Sequence, residues 1–85
     1  MDRVPWVLPA PRRIRWTDHG LEKATLLGIP RSDVERAVIE HHHRRRRNAR
    51  SADWLLTAGR LVIAYDHPDH TDKTTARVIT LWRRR

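Results

Sequence analysis

Four side chains of this sequence could transfer protons or stabilise charge on a phosphate: His19, Tyr65, His67 and Arg77. Histidine changes charge near neutral pH, so His19 and His67 are candidate acids or bases. His19 lies at the predicted start of a helix, where the positive end of the helix dipole favours a neutral ring. Tyr65 could stack on a nucleobase or donate its hydroxyl. Arg77 could clamp a phosphate with its planar guanidinium.

Each of these candidates also has a structural interpretation that the sequence leaves open. His19 could cap its helix or hydrogen-bond the sheet, and Tyr65 could lie at the edge of the core. His67 falls in a polar, proline-containing stretch that is typical of a solvated hairpin turn. Arg77 could be a charge at the end of a strand, and the same holds for Arg83. We predict that Arg77 and Arg83 share one face of the last strand, because side chains alternate along a strand.

The strongest electrostatic feature is the run Arg44–Arg47, which Arg50 extends. In a strand, alternate arginines would point to opposite faces, so about two could hold one phosphate track. In a loop, all four could engage. A solvated charge run and an acceptor surface for an acidic protein segment remain alternatives. With Arg83, this run forms the predicted RNA-binding set: Arg44, Arg45, Arg46, Arg47, Arg50 and Arg83.

The overall charge supports a polyanionic partner. The 85 residues carry 18 Lys and Arg against 10 Asp and Glu, a formal net charge of +8, and 16 of the cations are arginine. Such a field attracts nucleic acid, acidic proteins or anionic membrane surfaces. An arginine-rich genome would explain the choice of arginine over lysine, but it explains neither the clustering nor the net excess.

The sequence argues against a metal, a cofactor and a membrane span. Without cysteine there is no disulfide and no common structural zinc site. The histidines 41–43 lack the spacing of a structural site, and the Asp66-x-x-Asp69-His70 pattern fits a hairpin turn better than a divalent-ion site. No apolar run reaches the length of a signal peptide or membrane helix, so we expect a cytoplasmic protein.

Hydrophobic periodicity predicts one α+β domain over residues 13–85, after a proline-containing leader over residues 1–12. Thr17 or Asp18 is expected to cap the first helix, and Gly28 to end it. Ser32 and Glu35 have the spacing of a capping box at the start of the second helix. That helix should reach about His41.

The predicted element order is β-α-α-β-β-β, an antiparallel sheet packed against a two-helix hairpin. The last strand should place Trp82 in the core. The predicted strands cover residues 13–16, 53–57, 61–65 and 75–83, and residues 44–48 could form either an edge strand or a loop.

Four stretches resemble a family of small, uncharacterised bacterial domains that is similar to the RelE and BrnT toxins of toxin–antitoxin pairs. They are Asp18-His19-Gly20-Leu21, Leu27-Gly28-Ile29-Pro30, Ser32-Asp33-Val34-Glu35-Arg36-Ala37-Val38 and Arg77-Val78-Ile79-Thr80-Leu81-Trp82-Arg83. The chain departs from the family pattern at Gly20, where alanine is usual, at Leu27, where arginine is common, and at Trp82, where tyrosine is common.

The resemblance implies a RelE-like fold and a metal-independent endoribonuclease acting on mRNA, either free or on the ribosome, and silenced by an acidic antitoxin. In such chemistry the substrate's 2′-hydroxyl attacks the adjacent phosphate. His19 would then act as base and Arg77 as phosphate stabiliser, with Tyr65 and His67 as further catalytic candidates and Arg44–Arg47 following the RNA. The alternative is a non-catalytic module of the same fold that binds nucleic acid or an acidic protein.

Overall fold

The described part of the chain forms one α+β unit. The computed structural model describes residues 11–48 and 54–84. Its elements are β1 (Arg13–Trp16), α1 (Asp18–Leu27), α2 (Arg31–His41), a 3₁₀ helix (His42–Arg44), β2 (Arg46–Arg47), β3 (Trp54–Ala58), β4 (Leu61–Asp66) and β5 (Thr75–Arg83). The α+β class is therefore confirmed. Of the predicted leader, residues 1–10 lie outside the described residues.

The sheet is mixed, so the prediction of an antiparallel sheet was wrong for one strand. The described strands lie in the order β1-β5-β4-β3-β2, and β1 runs parallel to β5 while the other neighbours are antiparallel. The reason is the connection after β1, because the two helices carry the chain from one edge of the sheet to the other. The last strand then returns beside β1 in the same direction.

Local signals explain the ends of the helices, with one exception. Thr17 caps α1 by accepting a hydrogen bond from the Gly20 amide at 3.0 Å, and Gly28 ends α1 with a positive φ of 66°. The predicted capping box of Ser32 and Glu35 is wrong, because α2 begins one residue before Ser32 and Pro30 occupies the N-cap position. The Pro30 carbonyl accepts from the Asp33 amide at 3.0 Å.

The core lies between the helices and one face of the sheet. This helix-facing side includes the fully buried Leu56, Ile63 and Tyr65. Helix α2 contributes Val34 and Val38, which are likewise fully buried. On the other face of β4, Val62 and Ala64 are also buried, as expected of a central strand.

A bulge in β5 changes which residues face the core. Tyr65 pairs with Val78 but Ala64 pairs with Thr80, so Ile79 is an extra residue on β5. Beyond it, Leu81 faces the core and is fully buried, while Trp82 is 38% exposed. The prediction of Trp82 as a core residue was therefore wrong.

Helix α1 lies very close to this bulge. The Thr17 hydroxyl donates to the Val78 and Ile79 carbonyls at 3.2 and 2.9 Å. A methyl group on Gly20 would lie 2.9 Å from the Val78 carbonyl oxygen, which is closer than a side-chain carbon approaches backbone. Glycine at this position, where the resembling family has alanine, is explained by this contact.

No helix in the described residues has the length and apolarity needed to cross a membrane.

The contact predicts that Gly20→Ala destabilises the protein although alanine favours helices. Overpacking costs about 1–3 kcal/mol, which exceeds the gain in helix propensity of at most about 1 kcal/mol. Urea unfolding should therefore show a lower midpoint for Gly20→Ala. Leu26→Ala, at a 78% exposed position of the same helix, is the control and should change the midpoint little. A midpoint for Gly20→Ala at or above that of the wild type would contradict the close packing.

Candidate nucleic-acid interface

Strand β2 places the basic run at one edge of the described sheet. We call Arg44–Arg47 the arginine edge. Arg46 pairs with Leu55 and Arg47 pairs with Trp54, so the two arginines lie on opposite faces of β2. Of the two interpretations left open, the edge strand is thus confirmed for these residues, and Arg44 lies in the preceding 3₁₀ helix. Arg50 lies outside the described residues.

Two members of the arginine edge pack on one aromatic ring. The guanidinium carbons of Arg45 and Arg47 lie 4.0 and 4.8 Å from the centroid of the Trp54 ring. Cation–π contacts contribute about 0.5–2 kcal/mol, with the larger values at desolvated sites. The ring therefore orders two like charges beside each other, and no carboxylate of residues 11–48 or 54–84 forms a salt bridge with either.

Arg77 has a different environment from the arginine edge. Its guanidinium donates twice to Asp66, with Nη2 to Oδ2 at 2.7 Å and Nε to Oδ1 at 3.1 Å. These hydrogen bonds and the charge of Asp66 raise the pKa of Arg77. Within residues 11–48 and 54–84 this is the one salt bridge. A phosphate at Arg77 would have to compete with Asp66 for the same donors.

The β5 bulge separates Arg77 from Arg83. Arg77 pairs with Asp66 on the face away from the helices, whereas Arg83 pairs with Leu61, which shares the helix-facing side with Tyr65. The prediction that the two arginines share a face was therefore wrong, because the extra residue reverses the alternation.

His19 lies apart from the other candidate catalytic residues. It is exposed near the start of α1, and its Nε2 lies 3.0 Å from the Thr80 hydroxyl oxygen. This contact joins the helix to β5, on the side of the sheet that lies away from β2 and β3. The hydrogen bond to the sheet matches the structural interpretation of this residue.

Tyr65 and His67, in contrast, lie together on the helix-facing side. Tyr65 is fully buried and His67 is 2% exposed, and their rings meet edge to face with centroids 6.1 Å apart. The His67 Nδ1 donates to the Thr75 carbonyl at 2.9 Å, which fixes the orientation of the ring. His67 is therefore not the solvated turn residue that its sequence context suggests.

A further buried histidine completes this group, and the sequence analysis missed it. His42 is only 9% exposed. Burial is the main cause that lowers its pKa, followed by the charges of Arg45, His43 and His67. The signal was present in the sequence, since Val34, Val38 and His42 recur at a spacing of four residues along one helical face.

Arg45 connects the group to the arginine edge. Burial raises the pKa of the Tyr65 hydroxyl, and the nearby Arg45 guanidinium partly opposes this rise. We call His42, Arg45, Tyr65 and His67 the buried polar cluster. Of the four predicted catalytic residues, the structure thus brings Tyr65 and His67 together beside the arginine edge, and it places His19 and Arg77 elsewhere.

Other arginines lie at the opposite edge of the sheet. Arg13 and Arg15 of β1 line a depression of about 400 Å³ together with Asp69 and Asp72. Hydrogen bonds from Thr71 and from Thr74 lower the pKa values of Asp69 and Asp72, respectively, so both carboxylates are charged at neutral pH. The cations at this edge are therefore balanced locally, unlike those of the arginine edge.

No protein family model matches the chain, and comparisons with curated proteins and with solved structures likewise give no match.

The lowered pKa of His42 predicts that acid weakens the fold. The unfolded chain binds a proton at this residue near its ordinary pKa of 6.5, and the folded chain binds it only at lower pH. The free energy of unfolding should therefore fall as the pH drops below about 6.5, until the lower folded pKa is passed. Urea unfolding between pH 7.5 and 5.0 measures this loss.

His42→Gln should flatten this pH dependence because glutamine does not titrate. The exposed neighbour His43 provides a matched control, and His43→Gln should keep most of the slope. Equal slopes in His42→Gln and the wild type would show that His42 is not the titrating group.

Proposed function

We propose that this protein binds single-stranded RNA along the arginine edge. The observation that carries the proposal is the ordering of Arg45 and Arg47 on Trp54, next to the exposed Arg44 and Arg46. No salt bridge within the described residues neutralises these side chains. A polyanion would supply the missing negative charge, and a formal net charge of +8 attracts one from a distance.

The geometry favours an unpaired strand over a duplex. A flexible single strand can follow a short protein edge, and its exposed bases can stack on guanidinium planes or aromatic rings. Arg46 and Arg47 lie on opposite faces of β2, so a backbone that runs along the edge can contact both. Phosphate contacts of this kind carry no sequence information, and we therefore expect weak sequence preference.

We further propose that the fold is a variant of the RelE type. The four sequence stretches named above and the order of strand, two helices and a C-terminal group of strands support this proposal. An acidic antitoxin would then be the natural competitor of RNA, because its carboxylates suit the same guanidinium groups.

A second candidate function is metal-independent RNA cleavage, which the grouping of Tyr65, His67 and His42 beside Arg45 would support once RNA binding exposes these buried side chains. In this reaction a base removes the 2′-hydroxyl proton, the oxygen attacks phosphorus, and the 5′-oxygen leaves with a proton from an acid. The products are a 2′,3′-cyclic phosphate and a 5′-hydroxyl. A histidine and the tyrosine would transfer the protons, while Arg45 would stabilise the crowded phosphate.

RNA binding along the arginine edge predicts a strong dependence on salt. Each neutralised single-strand phosphate contributes about −0.7 to the slope of log affinity against log salt. Four contacts give a slope of about −2.8, which corresponds to roughly 50-fold weaker binding at 200 mM than at 50 mM salt. Arg46→Gln with Arg47→Gln should reduce the slope by about 1.4 in fluorescence anisotropy titrations of a labelled single strand.

Arg13→Gln with Arg15→Gln is the matched control, since it removes the same charge from the opposite edge of the sheet. It should leave the slope nearly unchanged. A larger loss in this variant than in the β2 variant would place the RNA at the β1 edge and contradict the proposal.

If the protein cleaves RNA by this chemistry, cleavage should require the 2′-hydroxyl of the nucleotide at the cleaved position. Labelled RNA should yield fragments with 2′,3′-cyclic phosphate ends in the presence of EDTA, and a strand with a 2′-deoxy sugar at the cleaved position should stay intact there. Tyr65→Phe should slow cleavage at least tenfold while RNA binding persists. If the RNA stays intact at concentrations of the wild-type protein that saturate RNA binding, the proposed nuclease activity is refuted. The proposed binding function would not be affected.

A further inference from the structure

Three buried polar atoms converge from two elements of the fold. They are Nδ1 of His42, Nη1 of Arg45 and the hydroxyl oxygen of Tyr65, and within the described residues none of them makes a hydrogen bond of good geometry, although Arg45 and Tyr65 lie close enough to interact. Buried polar atoms are almost always paired, so three orphans in one place require an explanation. His42 begins the 3₁₀ helix and Arg45 follows its last residue, and the Arg45 amide donates to the His42 carbonyl at 3.1 Å.

The pairing of strands brings Tyr65 to the same place. Arg47 pairs with Trp54 and Trp54 pairs with Tyr65, so the three side chains form a row across β2, β3 and β4 on the helix-facing side. Arg45 lies two residues before Arg47 and covers the same Trp54 ring. One end of the row is exposed and the other is fully buried. The row therefore connects the buried polar groups to the exposed arginine edge.

The chemistry of the three atoms specifies the kind of ligand. The guanidinium only donates hydrogen bonds, and the phenol donates through its single proton. Histidine Nδ1 can also donate when that nitrogen carries the proton. A buried guanidinium nitrogen without an acceptor is costly, since the loss of its hydration is not repaid. An anionic oxygen would satisfy all three groups and offset the charge of Arg45.

We propose that His42, Arg45 and Tyr65 form a binding site for one phosphate group at the inner end of the arginine edge. The site rests on the proposed RNA-binding function for its biological ligand, and it predicts binding of inorganic phosphate by itself. The phosphate of the site would come either from the RNA backbone or from a 5′-terminal phosphate, since both present the same anionic oxygens.

Titration of the full-length protein with inorganic phosphate at constant ionic strength tests the site. The ring signals of His42 and the guanidinium signals of Arg45 should shift in a saturable manner in nuclear magnetic resonance spectra. Tyr65→Phe removes only the hydroxyl and should weaken phosphate binding at least fivefold. Arg13→Gln with Arg15→Gln, which removes two charges from the opposite edge of the sheet, should change phosphate binding less than twofold.

The outcomes separate this site from the proposed function. If the His42 and Arg45 signals of the wild type do not shift or do not saturate, the site is refuted. An equal phosphate affinity in Tyr65→Phe also refutes it. RNA binding that persists in either case leaves the proposed function intact.

A comparison of single strands with 5′-phosphate and 5′-hydroxyl ends identifies the source of the phosphate. Tighter binding of the phosphorylated strand by the wild type, lost in Tyr65→Phe, supports the site with a terminal phosphate as its ligand. Equal affinities for the two ends, both weakened by Tyr65→Phe, support the site with a backbone phosphate.

Discussion

The arginine edge depends on the packing of two guanidinium groups against the Trp54 ring. The positive charges of Arg45 and Arg47 repel each other, and without a shared contact their long side chains would move apart. The indole face attracts each cation and restricts the side chains to one region, at a gain of about 0.5–2 kcal/mol for each contact. No carboxylate of the described residues forms a salt bridge with these side chains, so within that part of the chain the edge retains its positive charge. The proposed binding of a polyanion follows from this retained charge.

The sheet gives different environments to arginines that look equivalent in the sequence. Arg77 is held by Asp66 on the neighbouring strand, and Arg13 and Arg15 share a depression with two charged aspartates. The arginines of β2 lie on an edge strand of two residues, and no carboxylate of the described residues forms a salt bridge with them. Local charge balance, rather than the number of cations, therefore distinguishes the candidate interface from the remaining arginines.

Much of the fold could be predicted because its signals are local. Thr17 and Gly28 act within one turn of α1, alternation of apolar residues marked the strand around Ile14, and a continuous apolar run marked the strand from Leu61 to Tyr65. The pairing of β1 with β5 could not be read from the sequence, since it joins residues about 60 positions apart and depends on the path of the helices. The capping box failed because Pro30, with its fixed φ, already begins the turn that leads into α2.

The candidate site was harder to predict for the same physical reason. A single extra residue at the β5 bulge moved Leu81 into the core, turned Trp82 to the surface and separated Arg83 from Arg77. No local pattern signals such a bulge. His42 was hidden in a run of three histidines, although its spacing from Val38 continues the buried face of α2 beyond the end of that helix. The grouping of Tyr65 with His67 follows simple alternation, but their burial depends on the packing of the helices.

The central claim is that RNA contacts the β2 edge beside Trp54, and mapping of the bound surface tests it most directly. The indole N–H signals of Trp16, Trp54 and Trp82 report on three separate regions of the described fold in nuclear magnetic resonance spectra. On addition of a short single-stranded RNA, the account predicts that the Trp54 signal shifts most and that Trp82 changes little. A dominant shift of Trp82, with Trp54 unchanged, would place the RNA on the other face of the sheet and contradict the account.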